Sequence, residues 1–388
     1  LFSKKTPKPN KEFFYMIRVN WTKIRKLFPA TEKYTFLNAA GGSPLPLSSA
    51  KAGKDFYQES LMHGDAYWEN WLKRVEDTRK KLAKFINADK KEIAFILNTS
   101  HGMNLIADIL KGKGEILTMN DEFPSSTFPW MHKGFKVKFV KPEKNIYTIE
   151  NIKKHINKST KIVITSYVQY RTGFRQDLEK LGKFLKKKNI IFIVNATQAM
   201  GAFPIDVKKS NIDFLTFSCF KWTLSGYGIG GLYINKKWLK KSNIPQAGWL
   251  SVKNPENMDN KHIHLRNEAS VIEVGCGHFP NIFALGGALD LLIKIGKKNI
   301  QNRILELDEY LEKKLNDLNL KTITPLNKKH RSGITIVKMK NAEKLVEKLA
   351  LHKVMVAARG EGIRISVHIY NNEQDIDKFA KVIKKILK

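Results

Sequence analysis

A chain of 388 residues is long enough for two or three domains and a sizeable core, and its formal net charge of +33 admits a nucleic acid or an anionic membrane as partner. The excess is mostly lysine on helix faces, as in Lys183 with Lys186-Lys187-Lys188, with no arginine-rich arm and no aromatics interleaved for base stacking, so nucleic-acid binding is not expected. Cys219 and Cys276 form no metal or redox pair and no run of about 18 apolar residues occurs, which sets aside a zinc site, an oxidising compartment and a helical membrane span and leaves a cytoplasmic location as the expectation.

The chain does not begin with Met. Leu1–Tyr15 is basic, contains proline and lacks the apolar stretch of a secretory signal, so it reads as an upstream or processed segment with Met16 as a candidate start. Trp21–Phe28 reads as a short amphipathic helix stopped by Pro29. A short strand from Tyr34 then enters the small-residue loop Asn38-Ala-Ala-Gly-Gly-Ser-Pro44, either a plain turn or a place where backbone approaches a ligand. Helices follow over roughly Leu47–Met62 and Tyr67–Asn87, the second with an apolar stripe through Trp68, Trp71, Val75 and Leu82. His63, between them, is a turn residue or a substrate-side one.

The buried strand Ile93–Leu97 leads into Asn98-Thr-Ser100-His101-Gly102 and a helix. Hydroxyls and amides there make either an ordinary N-cap or an anion site on the helix dipole. Strand Glu115–Met119 precedes Asp121-Glu122-Phe123-Pro124-Ser-Ser, and strands Val137–Val140 and Lys161–Tyr167 flank a helix near Ile149–Ile156. Gln169-Tyr170-Arg171-Thr-Gly173 and a basic helix come next. Strands alternating with helices predict a largely parallel sheet covered on both faces, and every polar motif falls at a strand's carboxyl end, where such sheets gather ligands.

The apolar run Ile190–Val194 ends in Asn195-Ala-Thr-Gln198, and the run Phe214–Phe217 ends in Ser218. Lys221 follows between Phe220 and Trp222, before a glycine-rich turn over Ser225–Gly231. It is either a solvated lysine or an amine made nucleophilic by apolar surroundings. Two helices over about Phe283–Leu318 lead to a smaller α+β unit. That unit has strands at Gly333–Val337, near Val354–Ala357 and at Ile363–Val367, a helix at Ala342–Leu351 and a last helix from Gln374. Arg364, in Gly362-Ile-Arg364-Ile-Ser366, suits a carboxylate through its planar fork, or a structural ion pair. His262 and His264 lack a third ligand, so no metal site is expected.

These motifs together resemble class V aminotransferases and cysteine desulfurases, the fold-type I enzymes that use pyridoxal 5'-phosphate. The resemblance runs from about Tyr34 to the C-terminus, and the Phe123-Pro and Val168-Gln-Tyr170 segments are nearest to kynureninase-like and epimerase-like members. It implies an N-terminal segment (1–35) packing with the small domain, a large cofactor domain (36–270) and linker helices with a small domain (271–388). It also implies Lys221 bonded to the cofactor aldehyde and later acting as general base at Cα of a free amino acid. Ser100, His101 and Ser218 would hold the phosphate, Gln198 the ring hydroxyl, Phe123 and Tyr170 the ring, and Arg364 the substrate carboxylate, with Asn38 and His63 at the substrate side. A homodimer is implied, completed near Cys276 by the partner. The chain departs from the family pattern in three places. Asn195 stands for the aspartate that holds the ring nitrogen protonated, Phe220 for a phosphate-contacting His or Tyr, and Cys276 for a threonine. Between Ala357 and Arg364 there is no cysteine, so persulfide-forming desulfuration is not expected. Transamination, C–S or C–C lyase chemistry and epimerisation remain open, as does a catalytically impaired relative on account of Asn195.

Overall fold

The computed structural model describes residues 19–239, 244–325 and 327–388. Leu1–Tyr15 and Met16, read above as a leading segment and start, lie outside the described residues. Strands are numbered along the chain: β1 Thr35–Phe36, β2 Ile93–Ile96, β3 Glu115–Met119, β4 Val137–Val140, β5 Thr160–Ser166, β6 Ile191–Asn195, β7 Phe214–Ser218, β8 Gly230–Ile234, β9 Ile334–Lys338, β10 Val354–Met355, β11 Ala357–Arg359 and β12 Gly362–Ser366. Seven of them form the central sheet in the order β2-β8-β7-β6-β5-β3-β4. All run the same way except β8, which is antiparallel to both neighbours.

The predicted α/β class holds, and the physical reason is visible in burial. Strands β2, β3, β6, β7 and β8 are almost wholly buried along their length, as expected of a sheet covered on both faces. Helices Trp68–Ile86, Thr99–Ile109 and Leu178–Lys187 are amphipathic, and the last two begin at side-chain caps, Asn98 and Asp177. Helix Phe279–Ile295 is apolar nearly all round and packs against Leu47–His63 and Trp68–Ile86. Gly296, at φ +88°, turns the chain into helix Lys297–Asp317. No single helix among the described residues is long and apolar enough to cross a membrane.

Two features differ from the sequence expectation. The turn over Ser225–Gly231 ends early, because Gly230 and Gly231 already belong to the antiparallel strand β8. They are glycines for close packing: a Cβ at Gly230 would lie 2.4 Å from the Phe217 carbonyl, and one at Gly231 would lie 2.4 Å from the Phe217 ring. The segment near Val354–Ala357 is two strands. β10 pairs in parallel with β1, and β11 folds back on β12 in the sheet β11-β12-β9.

The N-terminal and C-terminal segments meet. Arg25 is 2.7 Å from Asp375, and Ala40 N donates to Ser366 Oγ at 2.8 Å. The loop after β1 is thereby laid along β12 beside the carboxyl edge of the central sheet. Helix Thr99–Ile109 is pressed equally closely onto β7, where a Cβ on Gly102 would lie 2.3 Å from Thr216 Oγ1. Gly102→Ala should therefore lower unfolding free energy by about 1–3 kcal/mol through overpacking, readable in urea denaturation with an unchanged m-value.

Candidate active site

The parallel strands end level with one another: Ser166 of β5 pairs with Asn195 of β6, and Asn195 with Thr216 of β7. Their polar ends open into a cavity of about 200 Å³ that contains Lys221. The Lys221 amine lies 5.3 Å from the Phe220 ring centre and 5.7 Å from that of Phe123. Among the described residues no carboxylate comes within ion-pair distance of it. Burial lowers its pKa from 10.5 to about 7, and the positive charges of Arg364 and Arg359 push in the same direction. Tyr170 meets Phe123 edge to face at 5.2 Å, and Tyr227 stacks on Phe220 at 4.3 Å.

One end of the cavity is the N-terminus of helix Thr99–Ile109. Asn98 caps it by accepting from His101 N–H at 3.0 Å, and Thr99 N–H donates to Ser218 Oγ at 3.0 Å. The Thr99 hydroxyl lies 2.6 Å from Thr197 Oγ1 and 2.9 Å from Ser218 Oγ, so three hydroxyls from three chain segments converge. Ser100 and Thr99 line the cavity and His101 does not. The His101 ring turns back, its Nδ1 accepting from Leu97 N–H at 3.3 Å, and burial lowers its pKa. Thr99 and Thr197 escaped the sequence reading, although the first helical position after a cap is the one that faces the strand ends.

Along the cavity wall, Gln198 is held at both ends of its amide. It donates to Ala40 O at 3.1 Å and accepts from Trp222 Nε1 at 2.8 Å. His368 in turn lies 3.0 Å from Trp222 O, and burial lowers its pKa to about 4, so the ring is neutral and donates from Nε2. Asn195 is buried; its Oδ1 accepts from Thr197 N–H at 3.0 Å and its Nδ2 donates to Ser126 Oγ at 2.9 Å. Behind Ser126 lies Glu122, whose carboxyl pKa is raised by burial and drawn back by hydrogen bonds from Ser166 and Gln169.

The model of the family described as "Aminotransferase class-V" matches residues 35–379. The chain belongs to the class V aminotransferase family. Pyridoxal phosphate is the cofactor of this family, and its members are enzymes. Similar proteins include a probable cysteine desulfurase of Pyrococcus abyssi, 27% identical over 94% of this chain and 97% of that one, and a probable cysteine desulfurase of Borreliella burgdorferi, 29% identical over 97% and 99%. Among solved structures, the apo cysteine desulfurase from Thermococcus onnurineus matches with a TM-score of 0.87 at 24% identity, covering 94% of this chain and 97% of that one. The cystine C–S lyase C-DES with its product cysteine persulfide matches at 0.85 and 21% identity, covering 92% and 98%. These two likenesses confirm the class V fold.

In this class V chain Arg364 rises from β12, 2% exposed, and among the described residues its guanidinium has no hydrogen-bond acceptor or ion pair. Burial lowers its pKa to about 10, and Arg359 adds to the shift. Asn38, bridged to Ser366, leaves its buried Oδ1 without a partner. His63 and Cys276 are both exposed and outside the Lys221 cavity. His63 packs edge to face on Tyr67 at 4.8 Å, and Cys276 lines a separate cleft with Arg79 and Glu273.

The Lys221 shift has a stability consequence. Between about pH 7 and 10.5 the folded protein stripped of cofactor binds fewer protons than the unfolded chain, so its stability rises with pH across that window. Below about pH 7 the penalty for charging the buried amine is fully present. Lys221→Met should therefore melt above the wild type at pH 6, by on the order of 4 kcal/mol at most, and the gap should close as pH approaches 10. Calorimetry of the two stripped proteins over pH 6–10 checks this.

Proposed function

We propose that this chain is a pyridoxal-phosphate-dependent enzyme that takes a free amino acid, holds its carboxylate on Arg364 and moves the proton at its Cα with Lys221. The observation that carries the reading is a buried arginine without a partner beside a half-buried lysine without a partner among the described residues. Leaving either charge uncompensated is costly, and an anionic substrate relieves the arginine.

The cavity fits the cofactor. Ser100, Thr99 and Ser218 offer hydroxyls at a helix N-terminus, where a phosphate is favoured. Gln198, locked by Trp222 and Ala40, has one amide hydrogen left for a ring hydroxyl, and Phe123 supplies an apolar wall. Bound there, pyridoxal phosphate supplies the electron withdrawal that makes a Cα proton removable. The chain's own part is to place that proton near an amine that is neutral at working pH. With a pKa of about 7, Lys221 is both a competent base and, once charged, a competent acid. Phe123 and Phe220 flank the amine with apolar ring surface. A second copy of the chain supplies Cys276, which stands exposed outside the cavity of its own protomer.

Several relatives are named cysteine desulfurase, but a route through an enzyme persulfide is not supported here. The two-residue turn between β11 and β12, Gly360-Glu361, holds no cysteine, and burial pushes the Cys219 thiol far up and out of reactivity. Transamination, elimination and epimerisation all begin with the Cα proton, and the proposal covers that shared step.

The test compares substrates with and without a carboxylate. Arg364→Met should cut kcat/KM for amino acids by about 10- to 100-fold, mostly in KM, while leaving the slow reaction with a simple amine unchanged. Equal losses for amino acids and amines would contradict the assignment.

A further inference from the structure

We infer that Asn195 meets the cofactor's ring nitrogen as a hydrogen-bond donor, so that this nitrogen is held unprotonated, and that the Thr197 backbone N–H fixes the amide in that sense, with Ser126 as the positioning residue on its other side. The inference rests on the cofactor reading above.

The argument is one of committed hydrogens. Asn195 Oδ1 accepts from the Thr197 backbone N–H at 3.0 Å, and a backbone N–H can only donate. The amide nitrogen on the other side donates one hydrogen to Ser126 Oγ at 2.9 Å. The Ser126 hydroxyl, having accepted there, lies near the buried Glu122 carboxyl. Glu122 is itself pinned: it accepts from Ser166 N–H at 2.6 Å, Ser166 Oγ at 2.5 Å and Gln169 Nε2 at 2.7 Å.

Flipping the amide would set its N–H against the Thr197 N–H, donor facing donor. The orientation is therefore determined by a backbone N–H, which can only donate. Asn195 carries a second amide hydrogen, which has no acceptor among the described residues, and the residue lines the Lys221 cavity. A protonated ring nitrogen would confront that N–H with another donor. An unprotonated one brings a lone pair.

The chemical consequence concerns the kind of reaction. A neutral ring withdraws electrons less strongly than a pyridinium, so it spreads less charge away from Cα. That favours reactions in which the Cα electron pair is used at once, by expelling a leaving group from Cβ or by taking a proton back at Cα. Transfer of the amino group to the cofactor is disfavoured.

The test loads the protein with pyridoxal phosphate labelled with nitrogen-15 in the ring. The ring signal is read against free cofactor in acid and in alkali as the protonated and unprotonated references. The wild type is expected at the unprotonated reference and Asn195→Asp near the protonated one. Ser126→Ala is expected to weaken cofactor affinity roughly fivefold. A loaded wild-type protein at the protonated reference overturns the inference. An Asn195→Asp signal that does not move overturns it too, and unchanged affinity in Ser126→Ala overturns the positioning role. Failure of any cofactor to attach at Lys221 overturns the parent reading and this one with it.

Discussion

Lys221 leaves the end of β7 into a space walled by Phe123 and Phe220, and its nearest charges are the like charges of Arg364 and Arg359. Burial and repulsion act together on one amine, and the proton is lost near neutrality rather than near pH 10. A protein this rich in lysine could easily have placed a carboxylate beside it, as it does for Lys51, Lys81 and Lys133 on the surface. The missing counter-charge is what separates this lysine from those solvated ones. On the proposed function, it is also what would make the amine reactive toward an aldehyde.

The rest of the molecule holds that arrangement in register. Five of the six co-directional strands bring Asn98–Ser100, Glu122–Ser126, Ser166, Asn195–Gln198 and Ser218 to one edge. The antiparallel strand β8 closes over Phe217 through two glycines. Arg364 comes from the other sheet, and its position depends on contacts far apart in sequence: Asn38 with Ser366, Ala40 with Gln198, and Trp222 with His368. The lysine and the arginine therefore belong to separate sheets joined by a short chain of buried hydrogen bonds. Loosening that chain should disturb substrate binding before it disturbs the fold.

Much of this was legible in the sequence, for definite reasons. Continuous apolar runs such as Ile190–Val194 and Phe214–Phe217 can only be central strands, and the polar residues that end them must then sit at the sheet edge. Lys221, Asn195, Gln198, Ser218, Ser100, Phe123 and Tyr170 do line one cavity. What stayed hidden depended on distance or helix phase. Gly230 and Gly231 look like a turn because their packing partner, Phe217, is on the neighbouring strand. Thr99 and His101 are two residues apart on one helix and so face opposite ways. The Ser126–Asn195 hydrogen bond joins residues 69 positions apart and has no local signature. The net charge of +33 marks no single surface, since many lysines pair with nearby carboxylates and others stand in solvent.

The central claim is that one amine, among many, is neutral and open to an aldehyde. Borohydride reduction in the presence of pyridoxal phosphate at about pH 7.5, where ordinary lysines are protonated, followed by peptide mapping, tests it directly. The account predicts one reduced cofactor per chain, fixed on Lys221, with the surface lysines essentially unlabelled. Label scattered over surface lysines with Lys221 unmodified would contradict it.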